Sequence, residues 1–131
     1  MNPAWARAAK SGDLEEARLF LHSGGDINAR DRYGQTALMI AAHHGHRALV
    51  DLLIQAGADL DVTAKYSLSA FMLAIVAGHV EVARTLACAG ADLTLQGSGA
   101  PGFAGKTAYD LAAAREMTEL YDQLLDSGLR R

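Results

Sequence analysis

His43, His44 and His46 form the densest group of side chains able to hold a metal or take up a proton in this chain of 131 residues. Imidazoles near one another can bind zinc or act as a general base. Their spacing argues for another role, because Gly45 interrupts a helix between them and no carboxylate lies beside them. A second candidate is the stretch 100–107, Ala-Pro-Gly-Phe-Ala-Gly-Lys-Thr, which fits a permissive phosphate-loop pattern with alanine for the first glycine. Lys106 and Thr107 would then touch phosphate and magnesium. Gly97, Gly99 and Gly102 likewise match a dinucleotide-binding glycine pattern. Both loops require a buried strand before them and a helix after, so the surrounding elements decide their meaning.

Other chemistry is thin. Cys88 is the single cysteine, which excludes an internal disulfide and a multi-thiolate metal site; it reads as a small filler near a helix end. No serine sits in a G-x-S-x-G setting. The scattered carboxylates suit helix starts, turns and solvated faces, Glu15 and Glu16 among them. The residues therefore predict no catalytic group, no metal and no cofactor.

The elements around these residues repeat. Gly12, Gly45 and Gly78 are 33 apart, as are Gly24, Gly57 and Gly90, Asp26, Asp59 and Asp92, and Ala8, Ala41 and Ala74. A fixed period of this length marks stacked units, each of which has an apolar face that only its neighbours can cover. Between the two glycines of a unit lies an amphipathic helix pattern, with Leu49, Val50, Leu52 and Leu53 in the second unit and Val82, Ala83 and Leu86 in the third. Before the first glycine come alanine-rich segments, Ala8-Ala9 and Ala41-Ala42, small enough for helices to approach closely. A helical repeat leaves no buried strand upstream of residues 100–107, and Gly105 and Thr107 fall at positions that the repeat itself uses.

In its second unit the chain reads Asp31, Gly34, Thr36, Leu38, Ala41, Ala42, Gly45, His46, then Leu52, Leu53, Gly57, Ala58, Asp59. This resembles the ankyrin repeat family, whose pattern runs D-x-x-G-x-T-P-L-H-x-A-A-x-x-G-H and ends L-L-x-x-G-A-D. The third unit departs at its start, with Ala64-Lys65-Tyr66-Ser67 for D-x-x-G, and returns to register at Ala74, Gly78-His79 and Gly90-Ala91-Asp92. The fold the resemblance implies is all-α: a solenoid of about four helix-turn-helix units joined by short β-hairpin loops. It divides one domain, 1–131, into an N-terminal capping repeat (1–30), a second (31–63) and third repeat (64–96), an extended loop (97–104) and a C-terminal capping repeat (105–131). The loop arises because aligning Thr107 with Thr36 requires five extra residues. Its Phe103 is either an anchor for a partner or a side chain packed back on the fourth unit. In the last unit a helix pattern, Leu120 to Leu125, precedes Asp126-Ser127-Gly128 and Arg130-Arg131.

Function follows the same line. Lys+Arg 12 against Asp+Glu 15, net −3, gives no field that draws the chain to nucleic acid or an anionic membrane. No stretch approaches ~18 uncharged apolar residues, and residues 1–17 show no signal peptide, so a cytoplasmic chain is expected, or a periplasmic or secreted one if a leader has been removed. The resemblance implies a protein-binding module whose turn tips and first helices line a concave face. The family's contact positions fall on Arg30, Arg32, Tyr33, Gln35, His43 and His44 in the second unit, and on Thr63, Lys65, Tyr66, Leu68, Val76 and Ala77 in the third. The fourth unit adds Gln96, Phe103, Lys106 and Arg115, and the first adds Lys10, Ser11 and Trp5, the last being also a candidate plug for the end of the stack. The cations among them predict an acidic surface on the partner. The expectation is a monomer that masks its partner, as an inhibitor or immunity-type protein; a passive scaffold is the alternative, and a nucleotide- or metal-dependent enzyme the remote one.

Overall fold

Each helix starts and stops where its end residues dictate. In the computed structural model, which describes residues 1–99 and 103–114, α1 spans Pro3–Ser11, with Asn2 accepting from the Ala4 N–H at 2.8 Å and proline in the first turn. Helix α2 is Leu14–His22, capped by Asp13, which accepts from the Glu16 N–H at 3.1 Å. Helices α3 (Ala37–His44) and α5 (Ala70–Ala77) begin at Thr36 and Ser69, each accepting from the N–H of a methionine three residues on. Their partners are α4 (Arg47–Gln55) and α6 (Val80–Cys88). Helix α7, Ala108–Ala114, lies where the repeat expects the first helix of a fourth unit. The expected second helix of that unit, Leu120 to Leu125, and the tail to Arg131 lie outside the described residues.

Helices of seven to nine residues are too short to persist alone, so packing must hold them. Helix α3 packs between α1 and α5, and α5 between α3 and α7; behind them α4 packs between α2 and α6. This makes an inner layer of first helices and an outer layer of second helices. The inner helices are buried nearly all round, Ala37 to Ala42 in α3 and Ala70 to Ile75 in α5, as expected of helices covered on every side. The outer helices bury one face only, through Leu49, Val50 and Leu53, and through Val82, Ala83, Leu86 and Ala87. Trp5 closes the first unit from within: it is 1% exposed and its ring stacks on Phe20 at 4.2 Å.

Two ties recur from unit to unit. The His46 Nε2–H donates to the Lys10 carbonyl at 2.6 Å, and the His79 Nε2–H donates to the His43 carbonyl at 3.1 Å. Side chains on the turn after the outer helices repeat the device, with the Asp59 N–H donating to Asn28 Oδ1 and the Asp92 N–H to Asp61 Oδ1. The histidine ties explain why glycine stands at 12 and 45. Both take left-handed backbone, φ 74° and 77°, and a Cβ there would lie 2.8 Å and 2.7 Å from the His46 and His79 rings.

The joining loops are turns without strands. Among the described residues the one β-type pairing is an isolated bridge between Gln96 and Thr107, so the hairpins implied by the resemblance are reduced to their tips. At 31–35 the tip is held by Asp31, whose carboxylate accepts from the Tyr33 and Gln35 N–H groups at 2.9 Å. The third unit has Ala64 at that position and cannot build the same turn. There Lys65–Ser67 forms a 3₁₀ turn with Tyr66 and Ser67 both left-handed, φ 62° and 57°; Ser67 occupies the place of Gly34, which takes φ 79° without cost. Ser67→Gly should therefore be more stable than Ser67→Ala, which gives up the same hydroxyl, by roughly 1 kcal/mol, measured by urea unfolding. Equal stability of the two variants would mean that the turn is not strained.

Candidate functional site

The extended loop departs from the repeat beside the altered turn of the third unit. The described ends of the loop are joined by Gly97 N–H to the Lys106 carbonyl, 2.8 Å, and Gly105 N–H to the Gly97 carbonyl, 2.9 Å. It also leans on the strained turn: the Ser98 N–H donates to the Tyr66 carbonyl at 2.7 Å, the Ser67 and Ser98 hydroxyls share a hydrogen bond of 2.7 Å, and Phe103 lies 5.2 Å from the Tyr66 ring. Phe103 thus packs on the tip of the third unit, and is half-buried there. Ser98 and Phe103 contact the turn that lacks a carboxylate like that of Asp31.

This packing leaves a groove of about 250 Å³ between the tips of the second and third units, lined by Gln35, His43, Ala64, Lys65, Tyr66, Leu68, Leu73, Val76 and Phe103. Seven of the side chains singled out from the sequence meet here. Leu68 forms its floor, being almost wholly buried, while Val76 and Tyr66 are half-buried walls. Leu73 and Ala64 were not foreseen. Helix α5 is apolar on every side, so its pattern gives no face to choose from, and Ala64 replaces a residue of known role by one with none.

The other residues surround the groove or stand apart from it. Arg32 and Tyr33 project from the second tip, with the guanidinium 5.0 Å over the ring and Tyr33 60% exposed. Lys65 repeats this over Tyr66, also at 5.0 Å, one period later. Arg30 is exposed beside Gly34 and Ala64. Gln96 and Lys106 are exposed on the extended loop; Thr63 and Ala77 are half-buried; Arg115 lies outside the described residues. Lys10 and Ser11 line a separate recess with Arg7, Asp13 and Glu16 at the first unit, away from the groove. Trp5, buried against Phe20, is not available to a partner.

The histidines are arranged as structure. His44 donates from Nδ1 to the Ile40 carbonyl at 2.9 Å, and His46 and His79 are spent on the ties between units. Among the described residues no three metal-ligating side chains converge. Thr107 caps α7 in a reciprocal pair with Asp110: its N–H and hydroxyl donate to Asp110 Oδ2 at 3.0 and 3.2 Å, and its Oγ1 accepts from the Asp110 N–H at 3.4 Å. Those donated hydrogen bonds, the backbone one foremost, hold the Asp110 carboxyl below its usual range. The middle of the phosphate-loop pattern, residues 100–102, lies outside the described residues.

His43 alone faces the groove, and its pKa is lowered, chiefly by partial burial and then by the charges that His44 and His79 can carry. The unfolded chain therefore binds a proton more readily here than the folded one. The contribution of a neutral His43 to stability is present above the ordinary histidine value of about 6.5 and is lost as pH falls through the lower folded value. A His43→Gln variant should lose less stability than the parent on acidification from about pH 6.5. Equal losses by denaturant titration would contradict the assignment.

Known proteins place these features in context. A family model described as ankyrin repeats, three copies, matches residues 5–97. A protein of Rickettsia felis described as an ankyrin repeat protein is 38% identical over 52 residues, 40% of this chain and 82% of its own length. A rice protein (Oryza sativa subsp. japonica) described as an E3 ubiquitin-protein ligase is 47% identical over 45 residues, 34% of this chain and 9% of that protein. A mouse 60 kDa lysophospholipase is 42% identical over 45 residues, again 34% of this chain and 8% of the enzyme. Shares so small bring neither activity to this chain. No helix among the described residues is long and apolar enough to cross a membrane.

Proposed function

The chain belongs to the ankyrin repeat family, and from that premise we propose that it binds its partner through the side formed by its first helices and turn tips, and acts by covering the partner's surface. Ankyrin repeats are protein-protein interaction modules and are typically non-catalytic. The observation that carries the finer reading is the groove at the tips of the second and third units, where Gln35, His43, Lys65, Tyr66, Val76 and Phe103 converge. It combines apolar walls with exposed Arg32 and Tyr33 beside it, residue types that dominate binding energy at interfaces. The cations at the tips favour an acidic surface on the partner. Binding as a monomer, the chain changes its partner by steric masking, as an inhibitor or immunity-type protein does; a passive scaffold would leave the partner working.

Photo-crosslinking tests the face. A photoreactive residue in place of Tyr33 or Lys65 should capture the partner in cells, and one in place of Arg84 on α6 should not. Capture from α6 alone would overturn the reading. The captured partner, assayed with the chain in excess, should then lose activity; full activity in the complex would favour the scaffold.

A further inference from the structure

The groove is smaller than the roughly 300 to 1,000 Å³ of pockets that enclose drug-sized molecules. It suits one inserted side chain. The walls offered to that side chain are Tyr66, Leu73, Val76 and Phe103, all apolar or aromatic. At the rim the Gln35 side-chain amide makes no hydrogen bond among the described residues and can pair with a peptide group.

Cations outnumber acids around the groove: Asp31 stands between Arg30 and Arg32, and Asp110 is close enough to Lys106 to feel its charge. Arg30, Arg32, Lys65 and Lys106 have no carboxylate within salt-bridge distance among the described residues, whose ion pairs join Glu81 to Arg47 and Arg84 on the outer helices. The nearest acid in sequence, Asp31, turns its carboxylate inward onto two backbone N–H groups. Arg32 and Lys65 are moreover equivalent, each resting on the aromatic ring that follows it, at tips one repeat apart. Adjacent packed helices lie roughly 8 to 10 Å apart, a distance that an extended chain covers in about three residues.

We propose, resting on the reading that this side binds protein, that the groove takes an extended acidic segment of the partner. Two acidic residues about three positions apart sit on the Arg32 and Lys65 tips, and an apolar side chain between them enters the groove against Tyr66, Val76 and Phe103. Such a segment matches the charge, the size and the spacing together, where a flat folded surface would leave the groove empty.

The test is selection from a random-peptide phage library on the intact chain, followed by affinity measurement on the enriched peptides against Arg32→Glu, Lys65→Glu and the groove-filling Val76→Phe. Folding of each variant is checked by urea unfolding; the two charge reversals lie at exposed tips and stand if Val76→Phe does not fold. Enriched peptides should carry the spaced acidic pair around an apolar residue, and should bind each variant about tenfold more weakly or worse. Peptides without the acidic pair that still lose affinity with the variants would overturn the acidic segment and leave the face. Peptides bound equally by parent and variants would overturn both. An empty selection would overturn the segment, as would self-association of the chain abolished by Lys65→Glu, which would make the occupant a second copy.

Discussion

Phe71→Ala is expected to lower unfolding stability by about 3 to 5 kcal/mol, the largest effect of any single substitution considered for this chain. Phe71 is fully buried in α5, and α5 packs on α3, α6 and α7 at once. Truncation removes a fully buried ring from a helix packed on three others and leaves a cavity that the surrounding structure fills only in part. Against a typical total of about 5 to 15 kcal/mol, such a loss takes a large share of the stack's stability. Leu19→Ala supplies the contrast: at 66% exposed on α2, its loss should change stability by about 0.5 kcal/mol or less. Urea titration of both variants checks the pair, and similar effects would mean that the layers are not packed as described.

Arg32→Glu together with Tyr33→Ala should weaken partner binding by about 2 kcal/mol or more, close to thirtyfold, with unfolding stability unchanged. Both side chains are exposed at a turn whose backbone is held by Asp31, so neither is needed for the fold. The substitution removes an aromatic contact and reverses a charge at the same tip, which makes the loss larger than that of an ordinary rim residue. Isothermal calorimetry with the crosslinked partner gives the number. Unchanged affinity would move the interface elsewhere on the stack.

The architecture was legible because it depends on short-range rules repeated at a fixed interval. Gly12, Gly45 and Gly78 each end a helix in left-handed backbone, and Thr36 and Ser69 each cap the next inner helix, so local chemistry and period agree. What escaped the sequence depends on contacts between distant residues. His46 and His79 occupy a recognisable turn position, but their carbonyl partners lie 36 residues away. Trp5 could be read as plug or contact until Phe20 is seen stacked on it. Phe103 meets Tyr66 at a turn where Tyr66 and Ser67 adopt a backbone that residues of their type seldom take. The groove is a product of that conjunction, and Leu73 joins it from a helix whose uniform apolarity conceals which side is open.

Hydrogen exchange on the chain, free and saturated with its partner, shows which layer of the stack the partner covers. New protection is expected at the two tips, 31–35 and 64–68, and at the ends of α3 and α5, with exchange in α2, α4 and α6 unaltered. Protection concentrated on the outer helices, with the tips exchanging as in the free chain, would contradict binding through the tips and first helices.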